Sequence, residues 1–164
     1  MKGTGLVSPF PPLLRDPPGL ALVFAGGAAG TAARLGVEQF APAEPGQWPL
    51  TTLLVNITGA LVLAALLEYL ASSRVDAELG RGIRLFGGTG ICGGFTTYST
   101  FADEQVMLIR DGHLLLALAY GGATLVVGAL GTVAGLVLGA RIARLGPDPV
   151  RSVEPDLVDP DVPR

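Results

Sequence analysis

Four long stretches of mostly apolar residues, separated by short polar segments, dominate the pattern of this chain. The first runs from Gly19 to Ala33, meets Arg34 and continues amphipathically to about Phe40. The other three contain no charged residue and cover 49–67, 85–102 and 114–140. An uncharged run of about 18 residues or more can cross the roughly 30 Å hydrocarbon core of a membrane as a helix. The second, third and fourth stretches pass that test, and the first passes if Arg34 lies near an interface or faces a polar cavity. The four in succession predict an all-α membrane protein with four transmembrane helices, rather than buried helices of a soluble domain.

The two ends of the chain lack this pattern. The first 18 residues contain five prolines and no continuous apolar core, which predicts a flexible leader rather than a cleavable signal peptide. The end of the chain is rich in proline and aspartate, a composition typical of disorder. We therefore divide the chain into a leader at 1–18, a four-helix membrane domain at 19–144 and a disordered tail at 145–164.

The composition agrees with a membrane protein and excludes several kinds of site. Hydrophobic residues make up 49% of the chain and charged residues 15%, whereas about a quarter of a soluble domain is charged. The net charge of −3 gives no indication of nucleic-acid binding. The single cysteine, Cys92, excludes an internal disulfide, and the single histidine, His113, leaves no His/Cys metal cluster. His113 also falls in a connector, where no catalytic triad can be assembled, so we do not predict an enzyme.

Two apolar stretches carry glycines at a spacing of four residues. Gly26 and Gly30 form such a pair in the first stretch, and Gly131, Gly135 and Gly139 extend the spacing in the fourth. Small residues at this spacing allow the backbones of membrane helices to approach closely. We interpret these glycines as packing positions.

The third stretch is unlike the others because glycines and hydroxyl side chains replace much of its apolar content. Its glycines lie at 87, 88, 90, 93 and 94. Each interior glycine costs a helix about 1 kcal/mol relative to alanine, so we predict a break in this helix at its centre. A break frees backbone carbonyls, which lipid cannot satisfy. Freed carbonyls are hard oxygen ligands that suit a hard cation.

The residues after these glycines form two further patterns. Thr96, Ser99 and Thr100 are spaced to share one helical face, and Tyr98 and Phe101 lie three residues apart on a neighbouring face. Hydroxyls that bond back to their own helix would explain one or two of these residues. Such bonds explain less well a hydroxyl stripe that adjoins an aromatic stripe.

The third stretch also resembles a known family. The segment GTGICGGFTTYSTFADE is similar to the signature of the Fluc (CrcB-type) fluoride channels. Two segments resemble the family's first-helix and second-helix patterns, GGAAGTAAR at 26–34 and WPLTTLLVNITGA at 48–60. The resemblance covers about residues 22–143 and implies an antiparallel dimer with two pores along the subunit interface. It also implies a fluoride-selective channel for passive export that lowers fluoride toxicity in the cytoplasm.

The resemblance implies roles for individual residues. A structural sodium ion at the dimer centre would be held by the backbone carbonyls of Gly93 and Thr96. The anion pathway would contain Asn56, Tyr98, Ser99, Thr100, Phe101, Tyr120 and Thr124. At Tyr98 the family more often has phenylalanine, and the ring edge is retained. Arg34 would lie near an aqueous vestibule. Glu104 matches an acidic residue to which we assign a structural role, paired with Arg34.

The basic residues predict an orientation and a partner. With both termini in the cytoplasm, the inner side carries Lys2, Arg15, Arg74, Arg81, Arg84, Arg141, Arg144 and Arg151, and the outer side carries only Arg34 and Arg110. Positive loops are retained on the cytoplasmic side, so this bias favours one orientation in the cell membrane. The antiparallel partner is then an oppositely oriented paralogue, although a dimer of this chain with itself remains the family pattern. Besides fluoride, we expect contact with membrane lipid and none with nucleic acid.

Two other functions fit a small four-helix membrane protein. A small multidrug exporter needs a buried acid in its first helix, and the stretch from Gly19 to Ala33 contains none. A noncatalytic assembly subunit would use its glycines only for packing, and would not need Asn56 together with the hydroxyl and aromatic stripes. We therefore favour the channel over these alternatives.

Overall fold

A computed structural model of the chain describes residues 16–40 and 46–145. All regular structure in these ranges is helical, without a strand. The helices in chain order are α1 (Pro17–Phe40), α2 (Leu50–Ser72), α3 (Ala77–Ile83), a π-helix (Arg84–Cys92), α4 (Gly93–Phe95), α5 (Tyr98–Arg110) and α6 (Leu114–Leu145). Most of the predicted leader (1–15) and nearly all of the predicted tail (146–164) lie outside the described residues.

Three of these helices are long and apolar enough to cross a membrane. They are α1 with 24 residues, α2 with 23 and α6 with 32. Their outward faces are apolar, since Phe24 is 80% exposed, Leu115 84% and Leu125 76%. Large apolar side chains at such exposure are typical of a surface that meets lipid rather than water. The chain is therefore an all-helical membrane protein.

The third apolar stretch is divided among several shorter helices. Helical backbone continues from α3 through the π-helix to the end of α4 at Phe95. Thr96 (φ −76°, ψ 154°) and Thr97 (φ −143°, ψ 122°) are then extended, and α5 begins at Tyr98. We call Thr96 and Thr97 the break. The glycine-rich residues before it stay helical, in the wider turns of a π-helix.

The glycines of α1 pack against the π-helix and α4, and the two segments run parallel. Gly26 lies against the Phe86 carbonyl and Gly90, and Gly30 lies against the Ile91 carbonyl. A Cβ atom at either α1 position would overlap these backbone atoms. This confirms the predicted packing role of both glycines. It also explains how a glycine-rich segment remains helical, because tertiary packing can outweigh low helix propensity.

Helices α2 and α6 form a second parallel pair through the glycines of α6. Gly135 lies against the Leu61 carbonyl, and Gly139 lies one turn later against the Ala65 carbonyl. Gly131 continues the same contact line in the other direction, against Ile57. No Cβ fits at positions 135 and 139 without moving the backbone of α2. The predicted packing role of this glycine series is confirmed.

The bundle has two distinct ends. At the first end, the Asp16 carboxylate accepts a hydrogen bond from the Gly19 amide at 3.1 Å and pairs with Arg81 of α3, so α1 begins beside α3. At the second end, Trp48 packs edge-on against Tyr120 with 6.0 Å between ring centroids. Beneath Trp48 lies a small core formed by Leu53, Leu108, Ala117 and Tyr120, with Ile57, Phe101 and Leu116 packed around it.

The polar segment between the second and third apolar stretches, which we call the hinge, contains a helix that was not predicted. Asp76 caps α3, since its carboxylate accepts hydrogen bonds from the Glu78 amide at 3.0 Å and the Leu79 amide at 3.1 Å. An aspartate cap of this kind favours a helix start by satisfying amides that have no partner within the helix. The hinge is therefore ordered into the beginning of the helical segment that leads to the break.

Candidate functional site

The break opens onto a groove of about 620 Å³. We call it the break groove, and it is lined by Asn56, Gly59, Gly93, Thr96, Thr97, Tyr98, Phe101, Thr124 and several further, mostly apolar residues. Helix α2 supplies one wall, the π-helix and the break a second, and α5 with α6 a third. The groove therefore brings a few polar groups together within apolar surroundings, an arrangement typical of ligand and ion sites.

Among the backbone carbonyls that lose their helical hydrogen bonds at the break are those of Gly93 and Thr96. In a continuous α-helix, the Gly93 carbonyl would accept from the Thr97 amide, and the Thr96 carbonyl from the Thr100 amide. Instead, the Thr97 amide donates to Asn56 Oδ1 at 2.8 Å, and the Thr100 amide donates to Thr97 Oγ1 at 3.2 Å. These are the two carbonyls that the family resemblance assigns to sodium. As freed neutral oxygens, they fit a hard cation.

Asn56 bonds both backbone groups of Thr97. Its Nδ2 donates to the Thr97 carbonyl at 2.9 Å while its Oδ1 accepts from the Thr97 amide at 2.8 Å. The side chain therefore fixes the break to α2. The amide has two N–H groups, and the second is left for another acceptor. Asn56 thus has a structural task at the position where the sequence predicted an anion contact.

Thr97 is a member of the site that the sequence analysis missed. Its side chain is buried, and its hydroxyl caps α5 by accepting from the Thr100 amide at 3.2 Å. The hydroxyl also donates to Thr100 Oγ1 at 3.0 Å and lies 3.2 Å from Ser99 Oγ. A threonine placed before a helix is a common cap. The cap was not predicted because Thr96, Ser99 and Thr100 were expected to lie on one continuous helix, in which Thr97 would be an interior residue.

Thr96 does not share a helical face with Ser99 and Thr100, so that expectation was wrong. Its backbone is extended, and its hydroxyl donates back to the Cys92 carbonyl at 2.9 Å. The backbone amide of Thr96 donates to the same carbonyl at 3.0 Å. The side chain of Thr96 thus ends the preceding helix, whereas Ser99 and Thr100 belong to the first turn of α5.

Three aromatic rings lead from the surface into the core. Tyr98 is 81% exposed, and its ring centroid lies 6.1 Å from that of Phe101 at an interplanar angle of 42°. Phe101 in turn lies 5.2 Å from Tyr120, which is fully buried. Tyr98 and Phe101 line the break groove, while Tyr120 supports them from below.

Tyr120 and Thr52 hold the carboxylate of Glu104. The Tyr120 hydroxyl donates to Oε2 at 2.7 Å, and the Thr52 hydroxyl donates to Oε1 at 2.6 Å. The predicted pairing of Glu104 with Arg34 is therefore wrong. Arg34 pairs instead with Glu38 one helical turn away, with 2.9 Å between Nη1 and Oε1.

Thr52 was also missed, although it lies four residues before Asn56 on the same face of α2. Thr124, by contrast, was predicted and lines the break groove, but its hydroxyl donates to the Tyr120 carbonyl at 2.8 Å.

Among the predicted site residues, the groove brings together Asn56, Gly93, Thr96, Tyr98, Phe101 and Thr124. Ser99, Thr100 and Tyr120 adjoin them through the contacts above, and Arg34 lies apart on α1.

The chain is similar in sequence to a known family and to several known proteins. The model of a family described as "CrcB-like protein, Camphor Resistance (CrcB)" matches residues 21–136. The chain is 45% identical over 121 residues to the "Fluoride-specific ion channel FluC 2" of Leifsonia xyli subsp. xyli, covering 74% of this chain and 83% of that relative. It is 40% identical over 121 residues to FluC 2 of Bacillus subtilis, with 74% and 87% covered. It is 39% identical over 127 residues to FluC 1 of Mycobacterium bovis, with 75% and 91% covered. On the family match and these relatives together, this chain belongs to the CrcB family.

Proposed function

We propose that this chain is the subunit of a fluoride-selective channel, which carries fluoride passively out of the cell and lowers its toxicity. One observation carries the proposal: the break groove gathers an asparagine amide and two aromatic side chains, Tyr98 and Phe101, beside a cluster of hydroxyls. The names of the relatives, fluoride-specific ion channels, support the choice of ion.

In the proposed mechanism, fluoride exchanges its hydration water for donors of the protein. The hydrogen bonds of the site indicate which donors are free. Thr100 accepts from Thr97, so its own hydroxyl proton is uncommitted, and the second N–H of Asn56 and the hydroxyl of exposed Tyr98 are also open. The positively polarised edges of the Tyr98 and Phe101 rings attract an anion. Conduction requires that such binding be strong enough to admit the ion and weak enough to release it.

We further propose that the π-helix, α4, the break and α5 together form a fourth membrane span. Helical segments on each side of an extended pair would place the break inside the membrane. Unsatisfied backbone there is tolerated only within protein or beside a water-filled cavity. The break groove, with Asn56 bound to both backbone groups of Thr97, meets that requirement.

A structural sodium ion completes the proposed assembly. The carbonyls of Gly93 and Thr96 would hold it, because both have lost their helical donors. When bound, the ion supplies a positive charge that fixes neutral backbone oxygens in place. Gly93 is exposed, with no neighbouring atom within 4 Å of the position of a Cβ. A second subunit can therefore approach this point of the groove, as an antiparallel dimer with the ion at its centre requires.

The arginines support one orientation in the membrane. Exposed basic residues gather at the first end of the bundle, at positions 74, 81, 84, 141 and 144. The second end carries only Arg34 and Arg110 among the described residues. By the positive-inside tendency, the first end, where α1 begins and α6 ends, faces the cytoplasm. We therefore propose pairing with an oppositely oriented paralogue. Purification of this chain expressed alone tests that choice, and a stable, conducting dimer would refute it.

Neither alternative function gains support from a contact in the structure. The acid of α1, Glu38, is paired with Arg34 near the end of the helix, so it does not serve as the buried carboxylate of a multidrug exporter. An assembly subunit would not require the ordered donors of the break groove. No catalytic step is part of the proposal. Fluoride efflux from liposomes containing the protein, with chloride efflux as the control, tests the channel function.

A further inference from the structure

Thr97 directly follows the segment that carries the two carbonyls proposed for sodium, and its backbone amide and its hydroxyl account for the diversion of both helical donors. Its own amide donates to Asn56 Oδ1 at 2.8 Å rather than to Gly93. Its hydroxyl takes the Thr100 amide at 3.2 Å, so that amide does not donate to Thr96. We propose that Thr97 is a positioning residue for the cation, which keeps both carbonyl oxygens open. This inference rests on the proposed sodium site and names the residue that maintains it.

Both diverted amides depend on Thr97. One is the amide of Thr97 itself, and the other is the amide of Thr100, which the Thr97 hydroxyl caps. The Asn56 side chain anchors the Thr97 peptide from both sides, through its amide and its carbonyl. The Thr97 side chain is only 8% exposed, so water does not readily replace its hydroxyl as the acceptor. If the hydroxyl were absent, the Thr100 amide would lose its acceptor, and the chain would gain by turning Thr96 and Thr97 from extended to helical backbone, which brings that amide to the Thr96 carbonyl. A carbonyl that accepts such a hydrogen bond is a weaker ligand for a cation.

The adjacent threonine does not perform this role, although it has the same side chain. Thr96 Oγ1 donates to the Cys92 carbonyl at 2.9 Å and meets neither diverted amide. Thr31 of α1 is a further comparison, because its hydroxyl also bonds a carbonyl near the break, that of Gly94, at 3.4 Å. Gly94 is not one of the two proposed ligands. Thr31→Val therefore removes a hydroxyl near the break without affecting either donor.

The test is a sodium titration of thermal stability, measured on the protein in the assembly that purification identifies. A ligand that binds only the folded protein stabilises it by RT ln(1 + [L]/Kd), so the sodium concentration needed for a given rise in unfolding temperature follows the Kd and can be compared between variants. Choline replaces sodium at constant ionic strength. We expect Thr97→Val to need about tenfold more sodium than the unmodified protein, the change that accompanies a loss of about 1.4 kcal/mol. Thr97→Ser, which retains the hydroxyl, should restore the original value, and Thr31→Val should not change it.

The outcomes separate this inference from the proposed channel. An unchanged sodium requirement in Thr97→Val, or an equal increase in Thr31→Val, would overturn the positioning role while leaving the sodium site in place. If sodium does not stabilise the unmodified protein more than choline, then the site is absent and the inference fails with it. Fluoride flux through the unmodified protein, recorded in parallel, tests the channel independently of either result. If Thr97→Val does not fold, Thr97→Ala in the same titration decides, with the same increase expected.

Discussion

Asn56 and Thr97 form a pair joined by two hydrogen bonds, although 41 residues separate them in the chain. The side-chain amide of Asn56 donates to the Thr97 carbonyl at 2.9 Å and accepts from the Thr97 amide at 2.8 Å. The Asn56 side chain bonds the carbonyl and the amide of Thr97 as a residue on a neighbouring β-strand would. These two bonds give the Thr97 backbone groups partners in place of helical ones. An asparagine in the middle of an apolar helix thereby stabilises the irregular backbone of the break, which the proposed fourth span would place at membrane depth.

Replacement of Asn56 should affect both of its tasks, the anchoring of the break and the contact with the anion. Asn56→Ala leaves both backbone groups of Thr97 without their partner, and we expect a loss of about 1–3 kcal/mol in stability together with a large decrease in fluoride flux. Asn56→Asp can still accept from the Thr97 amide, but adds a negative charge beside the anion route. It should therefore reduce flux strongly, and it should also lower thermal stability, because its second oxygen faces the Thr97 carbonyl without a proton to donate. Thr58→Ala, at an exposed position of the same helix, is the control. Equal flux in Asn56→Asp and in the unmodified protein would contradict the assignment to the anion pathway.

The hydroxyls near the break groove should differ in importance according to where their protons point. Thr100 accepts from Thr97 and keeps its own proton free, whereas the proton of Thr124 is committed to the Tyr120 carbonyl at 2.8 Å. Thr100→Val should therefore reduce fluoride flux about tenfold, the effect of losing one hydrogen bond to a charged group. Thr124→Val should reduce it less. Liposome flux measured for the two variants side by side checks the order, and a larger loss in Thr124→Val would show that the free proton is not the decisive property.

Tyr98 departs from the phenylalanine that is more common in the family, and its contribution should come from its ring. The side chain is 81% exposed and packs at a tilt against Phe101. Tyr98→Phe preserves the ring edge and removes only the hydroxyl, so we expect fluoride flux within about twofold of the unmodified protein. Tyr98→Ile removes the aromatic edge and should reduce flux much further. If Tyr98→Phe lost as much flux as Tyr98→Ile, the hydroxyl would have to be the functional group.

The close approach of α2 and α6 should make Gly135 intolerant of even a methyl group. A Cβ atom there would overlap the Leu61 carbonyl, whereas Gly128 on the same helix has no neighbour within 4 Å of the Cβ position. Alanine is favoured over glycine within a helix by about 1 kcal/mol, so Gly128→Ala should be neutral or slightly stabilising. Gly135→Ala should lower the unfolding temperature and the yield of folded protein. A comparison of the two variants by thermal unfolding in detergent checks this, and equal stability would contradict the packing.

The sequence was sufficient to predict the long helices, because an uncharged apolar run leads directly to α1, α2 and α6. It placed the end of the second stretch at residue 67, before Glu68, whereas α2 continues to Ser72. A charge ends an apolar run but does not end a helix. The sequence analysis missed α3 because it is short and polar, and its start depends on one capping aspartate, Asp76.

The details of the site were harder to predict because they depend on contacts between distant residues. Low helix propensity suggested a break at the glycines, but α1 packs on them and they stay helical, so the extended pair lies after Phe95. Arg34 and Glu104 have opposite charges, yet Glu104 is held by two hydroxyls and Arg34 by its neighbour Glu38. The capping role of Thr97 could not be predicted without knowing that α5 begins at Tyr98.

Fluoride efflux from liposomes tests the central claim, conduction through the break groove, most directly. The unmodified protein, alone or with its paralogue, should release fluoride rapidly and leave chloride inside. Phe101→Ile should reduce fluoride release at least tenfold, because a ring edge of the groove is lost. Phe24→Ile, which removes a ring that is 80% exposed on the outer face of α1, should not change the release. No fluoride release in either assembly, or release that Phe101→Ile leaves unchanged, would contradict the account.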